Sequence, residues 1–226
     1  MEFVEFEKIA LRDWMAEPDT ALPSSFSALG IGTSLAEWRA ELANGTALLE
    51  SFGELSNRLG VKVAEVGVNN ICGYPFYLGA ALAHPELPVE EKLTFLEALS
   101  QPFGVGVMSS SQLGEEPALF MVWHNICDEF LEGLPVFLNA GKEGPSRAIF
   151  RLDGSDLIVH DRIFEILSSL TRDPRHWVQV CGLHGLGHSR HPKAGESAQE
   201  FIDLHKARLD ELELAWCEEC RDGQVL

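Results

Sequence analysis

Apolar residues recur at intervals of three and four along most of the chain, the spacing of one face of an α-helix. Phe3, Phe6, Ile9, Ala10 and Trp14 form the first such stripe and predict an amphipathic helix over 3–16, ended by Pro18 and Pro23. Ser34-Leu35-Ala36-Glu37 reads as a capping box, in which hydroxyl and carboxylate each satisfy an orphan amide at a helix start. The helix or helix pair behind it carries Leu35, Trp38, Leu42, Leu48, Leu49, Phe52, Leu55 and Leu59. Asn44-Gly45 is its candidate break and Gly60 its stop. Residues 62–84 are apolar with many small side chains, and Pro75 should kink or divide them. Pro88 opens a helix through Leu93, Phe95, Leu96 and Leu99 that Pro102 should close. Residues 103–114 read as loop, and Pro117 to Leu131 as helix.

The last third carries the plainest pattern. Asp156 to Leu170 predicts one helix, Asp173-Pro174 starts a second that runs to about Arg190, and Pro192 ends it. Ser197 is the expected cap of a long final helix whose stripe is Ala198, Phe201, Ile202, His205, Leu209, Leu212 and Trp216. Alternation suited to a strand is confined to Arg147–Leu152, which has no evident partner. The expected fold is therefore all-α, about eight helices in a single domain over 1–226. It is either a stack of helical hairpins, as in an α-solenoid, or an irregular multi-helix bundle. The Gly/Pro-rich stretch 133–146 is the candidate sub-domain boundary.

Composition agrees with a packed domain: 46% apolar and 23% charged residues suffice to bury a sizeable core. Charge narrows the partners. There are 35 acids against 17 bases, a net charge of −18, which repels phosphate backbones and anionic lipid, so neither nucleic acid nor a membrane surface is expected. The acidic N-terminus predicts no secretory signal, and five cysteines without framework spacing predict free thiols in a reducing cytoplasm. The acidity is uneven. Residues 1–145 and 196–226 hold 30 acids and 10 bases, whereas residues 146–195 hold 5 acids, 7 bases and five of the eight histidines.

The sharpest chemical feature lies in that segment: Cys181-Gly-Leu-His184-Gly-Leu-Gly-His188-Ser-Arg-His191. On a continuous helix Cys181, His184, His188 and His191 fall on one stripe, about 80° wide at roughly 100° per residue. A thiol and three imidazoles so placed could hold zinc. His184 and His188 have the spacing of a zinc-protease helix, but Gly185 stands where that motif needs a glutamate base. The packing alternative is the expectation. Gly182, Gly185 and Gly187 let a neighbouring helix approach, and His184 and His188 sit half-buried with ring nitrogens bonded to adjoining backbone. On this reading no cofactor is required, with zinc the alternative.

Residues 173–192 resemble the second helix of a degenerate HEAT-like repeat, and with the flanking helices the resemblance extends over about 156–221. It implies a stacked-helix fold and a binding role. Other features are weaker. Cys217-Glu-Glu-Cys220 has redox spacing at the wrong end of a helix, where the dipole opposes a thiolate. Phe120 to Asn125 with Asp128 and Glu129 could line a pocket or form a core helix with a polar edge. No nucleophile elbow, Walker A loop, dinucleotide fingerprint or EF-hand loop is present. The functional expectation is a non-catalytic acidic module that binds a basic protein, for example a bacterial immunity protein or antitoxin neutralising a toxin domain. A metal-dependent hydrolase using the His-rich helix, and a scaffold or regulatory protein, are the alternatives.

Overall fold

The structure is a computed structural model that describes residues 34–73, 78–105, 118–138 (backbone only over 134–138) and 154–225, together with Lys8 and Leu152. All regular secondary structure among the described residues is helical. Ten α-helices follow in order: α1 Leu35–Glu50, α2 Phe52–Leu59, α3 Val61–Cys72, α4 Leu78–Leu82, α5 Val89–Val105, α6 Val122–Leu138, α7 Gly154–Leu170, α8 His176–Ser189, α9 Ala194–His205 and α10 Glu211–Asp222. A 3₁₀ turn, Ala118–Met121, leads into α6.

Local chemistry explains most of the boundaries. Ser34 Oγ accepts the Glu37 N–H while Glu37 Oε2 accepts the Ser34 N–H at 2.7 Å, so the expected capping box opens α1. Gly60, at φ +88°, ends α2 in a conformation that a Cβ would strain. Three expectations need correction. Asn44-Gly45 does not break α1, because a Cβ on Gly45 would lie 2.9 Å from Leu78 Cδ1; the glycine lets α1 close on its neighbours. Pro102 does not end α5, which runs three residues further; Pro102 and Phe103 are buried, and that burial offsets the lost helix hydrogen bond. Ser197 does not cap a long final helix. It lies inside α9 with its hydroxyl 2.9 Å from that of Ser168, and the chain breaks over 206–210. A second capping box, Asp210 with Glu213, then starts α10, and Leu212, 81% exposed, leaves the stripe. Ten described helices stand where about eight were expected, because the stretches 35–59, 62–84 and 197–216 each form two.

The arrangement is an irregular multi-helix bundle with α8 at its centre. α8 packs on α6, α7, α9, α10 and the 3₁₀ turn. Residues 181–189 are all buried, as expected of a helix with neighbours on every side. On one side lies the large core, continuous from Trp38 in α1 to Ala194 in α9; on the other a small core joins Leu183 to Phe201, Ile202, Cys217 and Cys220. The break before α10 reverses the chain, so α10 runs alongside α8 in the same direction: Trp216 lies near His184 and Cys220 near Gly187. α6 extends through the first residues of the candidate boundary at 133–146, and the large core includes residues from both sides of it. The expected helix over 3–16 and the extended piece at 147–152 lie outside the described residues, Lys8 and Leu152 apart. No described helix is long and apolar enough to cross a membrane.

Candidate metal centre

Two helical turns face one another. On α6, His124 and Asp128 are one turn apart; on α8, His184 and His188 are one turn apart. Small residues permit the approach. A Cβ on Gly185 would sit 2.9 Å from Trp123 Cβ on α6, and one on Gly182 would sit 2.9 Å from the Leu167 carbonyl oxygen on α7. Gly182 thus lets α8 approach α7, and Gly185 lets it approach α6.

The ring nitrogens of His124, His184 and His188 converge, with one donor atom from each within 4.8 Å of the others. His124 Nδ1 is 2.8 Å from His188 Nε2, which is 3.2 Å from His184 Nε2. Three nitrogens about 2.0–2.1 Å from a tetrahedral zinc stand roughly 3.3 Å apart, so the first two spacings are within half an ångström of that figure. The outer nitrogens are turned elsewhere. Asp128 Oδ1 is 3.3 Å from His188 Nδ1, and Asp128 Oδ2 is 3.6 Å from His124 Nε2. One carboxylate therefore addresses the far side of two imidazoles whose near sides meet. For His188 this is the carboxylate–histidine pairing that orients metal ligands; the contact to His124, at 3.6 Å, is electrostatic.

Nε2 of His188 faces two other imidazole nitrogens but carries one proton or one lone pair, and so cannot make a full hydrogen bond to each. A divalent cation accepts a lone pair from all three. Burial first, and then the neighbouring charges of His188 and His124, push the His184 imidazole down to about 4; the Phe120 backbone and Asp128 offset only part of this. His124 is lowered by burial and by His188 against the pull of Asp128. Burial alone would raise the Asp128 carboxyl, but the hydrogen bond and charge of His188, with His124 and Arg190, hold it below the usual carboxylate range. The geometry thus keeps His184 and His124 neutral at pH 7 beside a carboxylate, the protonation state that metal binding requires.

No protein family, curated protein or solved structure matches the chain.

Of the four candidate zinc ligands the structure brings two together, His184 and His188. Cys181 lies in the large core, and burial first, then Glu65, raises its thiol well above the ordinary value. It is a packing residue. His191 falls beyond α8, which ends at Arg190 in a left-handed conformation (φ 50°). The stripe that placed His191 beside His188 therefore does not continue. Instead His191 Nε2 is 3.0 Å from Asp161 Oδ1, Nδ1 accepts the Lys193 N–H at 3.2 Å, and the ring stacks on Phe164. His160 does similar structural work, with Nε2 2.7 Å from the Ser189 carbonyl oxygen. His184 and His188 are buried, more so than the half-burial expected; their converging nitrogens face other imidazoles, and the Phe120 backbone lies against His184. His124 and Asp128 were visible only as part of a pocket-like stretch. Their signal was the i, i+4 spacing on a helix that also carries the aromatic Trp123. The thiols of Cys217 and Cys220 are buried in the small core and free, and burial with nearby acidic groups raises both, Cys217 to about 11. Neither is a reactive thiolate.

Proposed function

We propose that this protein binds a divalent transition metal, zinc first among them, through His124, His184 and His188, and that the metal serves hydrolytic chemistry. The observation that carries the reading is the division of labour within the rings: inner nitrogens converge while Asp128 lies within hydrogen-bond distance of the outer nitrogen of His188 and faces that of His124 at 3.6 Å. Three neutral imidazoles leave the ion its full charge and leave a coordination position for water, the composition typical of hydrolytic rather than purely structural zinc sites. His124 and Asp128 are partly exposed, so water and substrate can reach the cluster from the α6 side. The test begins with protein purified without a histidine tag, stripped by a chelator and titrated with zinc. The expected result is one equivalent bound, lost in His124→Ala and His188→Ala. Less than a tenth of an equivalent removes the reading. Hydrolysis of activated ester and phosphodiester probes, present with zinc and absent after stripping, tests the catalytic half.

A second reading rests on charge. Arg39, Arg58, Arg162, Arg172, Arg175 and Arg221 are each engaged in intrachain ion pairs, in a chain whose acids outnumber its bases by 18. That excess suits a basic partner such as a toxin domain, with the HEAT-like hairpin of α7 and α8 as part of the binding module. Suppression of a cationic nuclease at low salt and not at high salt supports it; indifference to the protein removes it. Free, buried thiols support a reducing cytoplasmic setting for either reading.

A further inference from the structure

We propose that the pocket bounded by α8, α9, α10 and the 3₁₀ turn binds a small organic cation with an apolar body, an alkyl- or arylammonium. The pocket has a volume of about 340 Å³. That is within the range of small-ligand sites. Its apolar walls combine aliphatic side chains, Val180, Leu209 and Leu212, with four aromatic ones: Phe120 from the 3₁₀ turn, Trp177 from α8, Phe201 from α9 and Trp216 from α10. Phe120 and Trp216 meet at a corner, with centroids 6.4 Å apart and planes inclined by 35°. Two polar side chains join them, His176 and Glu213. The Glu213 carboxylate is held in place, because one oxygen accepts the Asp210 N–H at 2.9 Å in the capping box that starts α10.

The chemistry selects the occupant. Aromatic faces are electron-rich and attract a cation lying within about 6 Å of their centroids, Trp most strongly. A fixed carboxylate at the same pocket adds a counter-charge. The chain's net charge of −18 concentrates cations around the molecule and repels anions. A neutral apolar molecule would gain the burial and miss the rest. The inference does not rest on the metal reading, although the two sites share a wall: the other neighbour of Phe120 is His184, stacked at 4.2 Å with planes 8° apart.

The test uses two isosteres on the full chain, 3-(trimethylammonio)phenol and 3-tert-butylphenol, which differ in a nitrogen cation against a neutral carbon. Calorimetric titration at low salt is expected to show the cation binding at least threefold more tightly. Glu213→Gln, which preserves the capping box, and Trp216→Leu should each weaken the cation at least threefold; Trp177→Leu replaces Trp216→Leu if that variant does not fold. A preference below threefold, a preference for the neutral probe, no binding of the cation at millimolar concentration, or affinities unchanged in the variants overturns the proposal. Trimming the pocket without touching His124, His184 or His188 keeps this outcome separate from that of the zinc titration.

Discussion

His124 Nδ1 lies 2.8 Å from His188 Nε2, although 64 residues separate the two along the chain. The contact exists because Gly185 lets α8 approach α6 at Trp123, close enough for His124 and His188 to meet. It turns a His-rich helix into a three-imidazole cluster and makes Asp128, rather than a further histidine or a cysteine, the residue that completes it.

Asp128→Asn should weaken zinc binding by about 10- to 100-fold, the usual effect of losing an outer carboxylate, while leaving the melting temperature of the metal-free protein nearly unchanged. Competition against a chromogenic chelator reads the affinity. An unchanged affinity means that the carboxylate does not orient His124 and His188.

Cys181→Ala and His191→Ala should both keep a full equivalent of zinc. They act on packing: loss of the buried His191 hydrogen bonds should cost about 1–3 kcal/mol of stability. Denaturant unfolding and metal analysis of the same samples separate the two effects. Loss of zinc in either variant would return that residue to the ligand set.

The metal-free protein should lose stability as pH falls from 6.5 to about 4. His184 titrates near 4 when folded against an ordinary 6.5, so between these values the unfolded chain binds a proton that the native chain refuses. Stability from this group is complete above 6.5 and lost as pH falls through the folded value. It amounts to about 2–3 kcal/mol, and His124 and His160, lowered by burial in the same direction, add to it. In His184→Gln the slope of melting temperature against pH over that window should flatten.

Glu129 gives the opposite slope. Its Oε2 accepts the Gly79 N–H at 2.8 Å, and burial first, then Glu132 and Asp128, push its carboxyl up to about 9. The native chain holds a proton that the unfolded chain releases near 4.5, so stability from this group falls as pH rises from 4.5 to 9. Glu129→Gln should stabilise the protein by about 1–3 kcal/mol at pH 8 and have little effect at pH 4. Equal effects at both values contradict the assignment.

Gly182→Ala should destabilise by about 1–3 kcal/mol, although alanine is the better helix former. The added Cβ would meet Leu170 Cβ at 2.7 Å and the backbone of Leu167 and Thr171 at 2.9 Å, none of them able to swing aside. Gly53→Ala is the control: nothing lies within 4 Å of its Cβ, and the substitution should stabilise by about 0.5–1 kcal/mol.

Much of the fold was legible because it follows from local rules. The three-and-four spacing predicted α7 and α8 to within a few residues at each end, and Ser34 with Glu37 marked the start of α1. Errors came where a local signal met a tertiary contact or a competing local signal. Asn44-Gly45 and Pro102 look like breaks until burial against neighbouring helices outweighs them. Conversely, a continuous stripe from Ala198 to Trp216 hid the Asp210 cap that divides it. The site was half legible. His184 and His188 share a turn of one helix, so periodicity alone places them together. His191 depended on α8 continuing past Arg190, which it does not.

By itself the sequence determined an acidic, all-helical protein with a glycine- and histidine-rich helix, since charge, helical period and close-packing glycines are local properties. The tertiary structure decided which histidines meet. His124 and Asp128 lie some 60 residues before His188, and only the packing of α6 against α8 brings their donor atoms to one point. It also decided that aromatic side chains of α8, α9 and α10 line a pocket beside the small core, because the break before α10 turns the chain back along α8.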